Sequence, residues 1–266
     1  MKVYGIDVSH HQGAIDWQQT AAELRRVNNY QGPGFAILRA GYSSRTGQGG
    51  LIKDSQIGAN IKGCEAQGIP MGIYVYSYDT SPGASAITAR TLLEVLRGHK
   101  FDYPIYLDVE YEPWNTGRDG SGRSPDRVKA DNTAVIQAFL QVLEAAGYYA
   151  AVYCSRDFFM RYTNLEQLKA FDKWEAAYTP TDTGAVPNGC WQYSSSNPLG
   201  IAGFGKSLDC DVAYKDYPSI MRSAKLNGYQ EQVKLYKITT QASAGDKDRI
   251  LALFEELGLA ATVEAY

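Results

Sequence analysis

Short apolar runs separated by amphipathic segments set the tightest limit on how this chain can fold. Runs rich in Val, Ile, Leu and Tyr lie near residues 3–7, 35–40, 70–76, 104–110 and 148–154, and helix-like patterns fall between them near 17–28, 51–67, 83–97 and 126–146. A chain that leaves a strand through a helix re-enters the sheet at the far end, so such strands pair in parallel through right-handed crossovers. That leaves a (β/α) barrel or a doubly wound sheet. In the 51–67 segment Ile57, Ile61 and Cys64 share a face, and Gly68 followed by Pro70 ends it. Ser124 or Asp126 stands where a cap is needed for the 126–146 helix, whose Val128, Val135, Phe139, Val142 and Leu143 form a stripe. After Phe158 the rhythm changes. Runs at 174–178, 189–194 and 208–214 follow with little helical sequence between the last two. The pattern predicts an α/β fold, an irregular eight-stranded (β/α) barrel with incomplete helices after the later strands.

A chain of 266 residues can bury one large core and carry a small appendage. The expected division is a barrel over 1–222, a linker over 223–232 through Asn227-Gly228, and a small module over 233–266. The last reads as strand, helix from about Lys247 to Leu257, and strand, with Ile250, Leu251, Phe254 and Leu257 on the helix's apolar stripe. So short a βαβ unit has an incomplete core and an exposed sheet edge, which suits docking on a wall, on itself or on another chain.

The remaining composition excludes several classes of function. A net charge of -3 gives no general attraction to nucleic acid or anionic membrane. No apolar run is long enough to span a bilayer, and Met1 to Asp7 reaches a charge too early for a secretory signal. The chain is therefore expected to be made in the cytoplasm and to act elsewhere only after release. Cys64, Cys154, Cys190 and Cys210 are scattered among apolar residues and read as buried thiols. His10, His11 and His99 lack metal-ligand spacing, so neither metal nor cofactor is expected.

Chemistry concentrates elsewhere. In Pro104-Ile105-Tyr106-Leu107-Asp108-Val109-Glu110 the strand period of two turns Asp108 and Glu110 to one face and Leu107 and Val109 to the other. Two like charges side by side raise one of the two pKa values, which is what a general acid needs. Val3, Gly5 and Asp7 share a face of the first strand, and Asp209 and Asp211 share a face of the last. In a closed barrel those strands are neighbours, so acids distant in sequence meet at one mouth. Unpaired buried carboxylates cost several kcal/mol, so structure alone does not explain such a cluster. Tyr42, Tyr74, Tyr76, Tyr78, Tyr111, Trp114, Tyr153, Tyr178, Trp191 and Tyr193 lie at or just after strand ends, where rings stack on sugars. The polar stretch from Asn115 to Ser124 follows the acid pair as a loop on the same face.

The ordered set Gly5-Ile6-Asp7-Val8-Ser9-His10-His11-Gln12-Gly13 with Ile15-Asp16-Trp17, Phe35-Ala36-Ile37-Leu38-Arg39-Ala40, Gly72-Ile73-Tyr74-Val75-Tyr76-Ser77, Tyr106-Leu107-Asp108-Val109-Glu110, Trp174-Glu175-Ala176-Ala177-Tyr178, Trp191-Gln192-Tyr193 and Leu208-Asp209-Cys210-Asp211 resembles glycoside hydrolase family 25. These are the Chalaropsis-type lysozymes, or N-acetylmuramidases, common as phage endolysins, and the resemblance covers about residues 1–218. It implies a peptidoglycan hydrolase that cuts the β-1,4 bond between N-acetylmuramic acid and N-acetylglucosamine with net retention, assisted by the substrate's own 2-acetamido group. It carries the family's catalytic acids onto Asp7, Asp108, Glu110 and Asp209. Substrate contacts are expected from Arg39, Tyr42, Tyr76, Tyr78, Tyr111, Tyr153, Tyr178, Trp191, Gln192 and Asp211. The family usually has Asn where this chain has Asp211. A carbohydrate-binding barrel without catalysis and a chitinase-like hydrolase are the competing readings; the first need not keep four acids, and the second would need a D-x-x-D-x-D-x-E strand that is absent.

Overall fold

The structure, a computed structural model, describes residues 2–230 and 243–256. Met1–Gln230 and Glu231–Tyr266 are separate compact units. The first unit carries nine strands: β1 Val3–Val8, β2 Phe35–Ser43, β3 Leu51–Lys53, β4 Met71–Tyr76, β5 Ile105–Asp108, β6 Ala150–Ser155, β7 Asp172–Ala176, β8 Cys190–Ser194 and β9 Asp209–Ala213. β1 pairs with both β2 and β9, which closes eight strands into a barrel, while β3 hangs on β2 as an outer hairpin. Its helices are α1 Trp17–Val27, α2 Ile57–Gln67, α3 Pro82–Leu96, α4 Pro125–Ala145, α5 Arg156–Tyr162 and α6 Tyr217–Ser223; α7 Ala244–Glu256 belongs to the second unit. Among the described residues no helix is long and apolar enough to cross a membrane.

Helix starts follow their local chemistry. Asp16, Ser81, Ser124, Ser155 and Asp216 each accept a backbone N–H from the first turn of the helix they precede. Pro82 and Pro125 occupy first-turn positions where no donor is missed. Of the two residues that could cap α4, Ser124 does so and Asp126 lies in the first turn.

Three elements depart from the sequence pattern. Residues 51–53 are extended rather than helical, because the chain doubles back along β2 and Gly41 admits it; a Cβ on Gly41 would stand 2.0 Å from the Ile52 carbonyl oxygen. β9 runs antiparallel to both β8 and β1. Residues 195–208 form no helix to carry the chain back across the barrel, so the next strand returns in the opposite direction. The stretch expected as a linker is built into the barrel floor as far as Gln230. Fully buried Asn227 accepts from Tyr149 N at 2.7 Å, donates to Tyr103 O at 2.8 Å and donates its own N–H to Gly147 O at 3.1 Å. The expected tail strands lie outside the described residues, and the tail helix is α7.

The strands' two faces pack into separate apolar clusters. Outward-facing Ile6, Leu38, Ile73, Leu107 and Val152 meet helix residues such as Leu24, Leu92 and Phe139. Inside, Tyr74, Tyr106 and Tyr153 surround Trp174 with ring centroids at 6.0, 5.0 and 4.5 Å, and Phe35 stacks on Tyr103 at 4.3 Å. Phe35, fully buried there, contributes roughly 1.5–3 kcal/mol. The aromatic filling leaves the strand ends, not the barrel centre, to hold polar groups. All four cysteines are buried thiols.

Candidate active site

Parallel strands end on the same side, so β1, β2, β4, β5, β6 and β8 deliver Asp7, Arg39, Tyr76, Asp108, Tyr153 and Gln192 to one mouth. β9 runs the other way, so its first residues, Asp209 and Asp211, reach that end instead. Register fixes neighbours: Asp7 pairs with Asp209, Asp108 lies between Tyr76 and Tyr153, and Asp211 lies between Gly5 and Gln192. Glu110 follows β5 by two residues and opens to solvent at the rim, while Asp7 and Asp108 are buried.

Gln192 ties the mouth together. Its amide nitrogen donates to Asp7 Oδ2 at 2.8 Å, and its oxygen accepts from Tyr153 at 2.8 Å and Tyr178 at 3.0 Å. Below it, Trp174 Nε1 donates to Asp211 Oδ1 at 2.8 Å. On the opposite side Arg39 Nε holds Asp54 at 2.8 Å, its guanidinium also meets His10 Nδ1, and the His10 backbone donates to the same carboxylate at 3.1 Å. Asn115, fully buried in the loop after the acid pair, donates to the Glu110 carbonyl at 2.6 Å and accepts from Glu112 N at 2.8 Å. Asn132 on α4 braces that loop through the Asn115 carbonyl at 2.8 Å. The rim acid is thus fixed to a helix through its own backbone.

Crowding raises every acid in the cluster. Burial, then Glu110 and Asp7, push Asp108 well above the usual carboxylate range, against the pull of Arg39. Burial and Asp209 push Asp7 up, although the Gln192 amide favours its charge. Glu110 is raised by the protein atoms that strip water from its carboxyl, then by Asp209 and Glu112. Asp209 is raised by burial, and Asp211 by burial and Asp7. The repulsion expected between Asp108 and Glu110 falls on Asp108, which carries the stronger shift, while loss of water is the main cause of the rise at Glu110.

Two aromatic surfaces flank the acids. A cavity of about 340 Å³ is lined by Glu110, Tyr111, Tyr153, Ser155 and Tyr178. On the β2 and β4 side, Tyr42 and Tyr76 pack on Tyr78 at 6.0 and 4.8 Å, and Arg45 lies over the Tyr78 ring at 4.2 Å. Trp191 is not brought to the mouth. Gln192 points inward, so the alternation of β8 turns Trp191 and Tyr193 outward, where they line a larger groove of about 800 Å³ with Tyr4 and Tyr214. That groove is lined by Asp182 but by none of Asp7, Asp108, Glu110, Asp209 and Asp211. Tyr74 is buried against Trp174, and Trp114 sits in a single 3-10 turn of the loop that Arg123 anchors. Sequence reasoning missed Arg45, Asn115 and the Asp54 anchor of Arg39. Only Asn115 lay in a stretch already marked as a loop beside the acids.

Residues 6–200 match the family model for glycosyl hydrolases family 25. The chain belongs to that family. It is 26% identical over 214 residues to the uncharacterized protein YegX of Escherichia coli O157:H7, covering 79% of this chain and 69% of that one. YegX of strain K12 matches at 32% identity over 109 residues, so the chain spans only 36% of that relative. Among solved structures, the modular autolysin LytC from Streptococcus pneumoniae, in complex with a synthetic peptidoglycan ligand, superposes with a TM-score of 0.64 at 26% identity, over 80% of this chain and 47% of LytC. The bacterial lysozyme from Streptomyces coelicolor shares the fold at a TM-score of 0.61 and 20% identity, over 85% of this chain and 98% of that one. The matched residues include Asp7, Asp108 and Glu110, while Asp209 and Asp211 lie beyond them.

Proposed function

We propose that this protein is a lysozyme, a 1,4-β-N-acetylmuramidase that cuts peptidoglycan between N-acetylmuramic acid and N-acetylglucosamine with net retention. The observation that carries the reading is the meeting of Asp7, Asp108, Glu110 and Asp209 at one mouth in a family 25 barrel. The peptidoglycan ligand bound by LytC supports the same substrate class.

Glu110 is the general acid and later the general base. It stands at the rim where a glycosidic oxygen can reach it, and its raised pKa keeps a proton available. Asp108 stands behind it with 4% exposure and, in this reading, orients the N–H of a substrate acetamide; its Oδ1 is fully buried and has no partner among the described residues. Orienting the acetamide lets its oxygen attack the anomeric carbon; Asp209 balances the positive charge that develops. Asp7, held by Gln192, sets the field beneath the sugar. Tyr42, Tyr76 and Tyr78 with Arg45, and Tyr111, Tyr153 and Tyr178, supply stacking faces and hydroxyls for successive sugars.

The test is the bond. Peptidoglycan digested with the purified protein, reduced with borohydride and read by mass spectrometry should give fragments ending in reduced muramic acid. Reduced glucosamine at that end would show a different glycosidase. For the C-terminal unit we favour a wall-directed role over self-association, because half-buried Ile250, Leu251 and Phe254 give α7 an apolar stripe on a short element that needs a partner surface.

A further inference from the structure

Five carboxyls meet at this mouth, and they cannot all be ionised. The cation facing them, Arg39, already spends its Nε on Asp54. The interior pair, Asp7 and Asp211, raises the question most sharply. Asp211 is fully buried, while Asp7 retains 5% exposure. One Asp211 oxygen accepts the Trp174 indole N–H at 2.8 Å. The other is buried with no hydrogen-bond partner, and the side chain that interacts with Asp211 besides Trp174 is the carboxyl of Asp7 on the neighbouring strand.

An ionised carboxylate has about four lone-pair positions to fill, and one buried with a single donor is poorly compensated. Two ionised carboxylates in direct contact are worse. A proton between them removes both difficulties. Each carboxyl takes one N–H, Asp7 from Gln192 and Asp211 from Trp174, both at 2.8 Å, so the proton's owner follows from the remaining oxygens: Asp211 Oδ2 is fully buried without a donor, whereas Asp7 has no such oxygen and keeps 5% exposure, which leaves the charge on Asp7. The titratable groups around Asp211 point the same way. Asp7 on β1, Asp209 and Cys210 on β9, Cys190 and Tyr193 on β8 and Tyr178 beyond β7 are all acids or neutral. Burial and the Asp7 charge both hold the proton on Asp211.

We propose that Asp211 is a neutral carboxylic acid at physiological pH and acts as a positioning residue, donating a hydrogen bond that holds ionised Asp7 in place beneath the substrate. The proposal deepens the muramidase reading and rests on it for its catalytic consequence. The protonated acid does for Asp7 what an amide side chain would do, but it has an upper pH limit. When Asp211 loses its proton the donor disappears and a second charge replaces it.

Two measurements test this, and the first needs no activity. In the full chain labelled with 13C at the Asp carboxyl carbons, the resonance missing from D211N should show the protonated chemical shift at pH 7 and titrate only above it. An ionised shift at pH 7 overturns the proposal, whether or not the protein cleaves peptidoglycan. The second compares D211N with D211L in turnover of soluble muropeptides. D211L loses the donor to a charged partner and should fall about ten-fold or more in kcat, with KM nearly constant. D211N keeps a donor, should retain about ten times the kcat of D211L, and should lack the alkaline fall that Asp211 gives the parent protein. Equal losses in both variants, with the parent's alkaline limb intact in D211N, would mean that Asp211 works as a carboxylate.

Discussion

Asp79 gives the clearest quantitative prediction. It lies just after β4, fully buried, and takes no part in the proposed chemistry. Neither carboxyl oxygen has a hydrogen bond of good geometry; the Ser43 and Thr88 hydroxyls stand close enough only to soften the cost of its charge. Burial pushes its pKa from 3.8 up to about 6. A rise of about two pH units, at about 1.4 kcal/mol each, makes ionised Asp79 cost roughly 3 kcal/mol of stability. The sign follows from proton binding. Between the unfolded and folded values the folded state holds more protons, so stability is greatest below about pH 4, falls as pH rises, and levels off above about pH 6. Asp79→Asn keeps the shape and never ionises. Urea unfolding followed by tryptophan fluorescence reports on the barrel alone, since Trp17, Trp114, Trp174 and Trp191 all lie in the first unit. Titrations of the other acids cancel in the difference between parent and variant. The parent should lose roughly 2 kcal/mol relative to Asp79→Asn between pH 4 and pH 7, about half of it by pH 5. A difference that stays constant across that range would refute the argument from burial.

Glu110→Gln should lower kcat by about 10²–10⁴-fold while leaving peptidoglycan binding and the unfolding midpoint near the parent's, because it removes a proton donor from a solvent-facing position; near-normal hydrolysis would reassign the acid. Truncation after Gln230, not earlier, should leave cleavage of soluble muropeptides intact and reduce lysis of whole walls, whereas a cut at about residue 224 also removes Asn227 from the barrel floor and should unfold more readily. Unchanged lysis and wall binding by the Gln230 truncation would exclude a targeting role for the tail.

The barrel was legible because local and global signals agreed along most of it. Apolar strands with outward Leu107 and Val109, capped helices and glycine stops each repeat the same periodicity, and long elements such as α4 carry that signal many times. The misreadings fall where a short element is decided by its neighbours. Leu51–Lys53 has too few residues to show any period, and it is a strand only because β2 offers an edge and Gly41 permits close approach. β9 alternates as any strand does, so nothing within it reports its direction; the missing helix before it does. Asn227-Gly228 has the composition of a flexible turn, and its burial depends on the Tyr103, Gly147 and Tyr149 backbone groups it satisfies, all far away in sequence.

The site divides along the same line. Acids at strand ends are legible because alternation and strand order fix both their face and their level, and so Asp7, Asp108 and Asp209 arrive together. Alternation also contains the correction for Trp191, since inward Gln192 requires an outward neighbour; an aromatic residue beside a site residue is no more part of the site than its parity allows. Charge partners obey no such rule. Arg45 reaches Tyr78 from a glycine-rich loop, and Asp54 anchors Arg39 from the turn after β3. Asp211 is the instructive case between these two. Its position on the inner face could be read from the strand, but its chemistry follows from which of its oxygens finds a donor. Only packing decides that: Trp174 satisfies one oxygen and the other is buried with no donor beside the Asp7 strand, so a residue written as an acid is placed to behave as a hydrogen-bond donor.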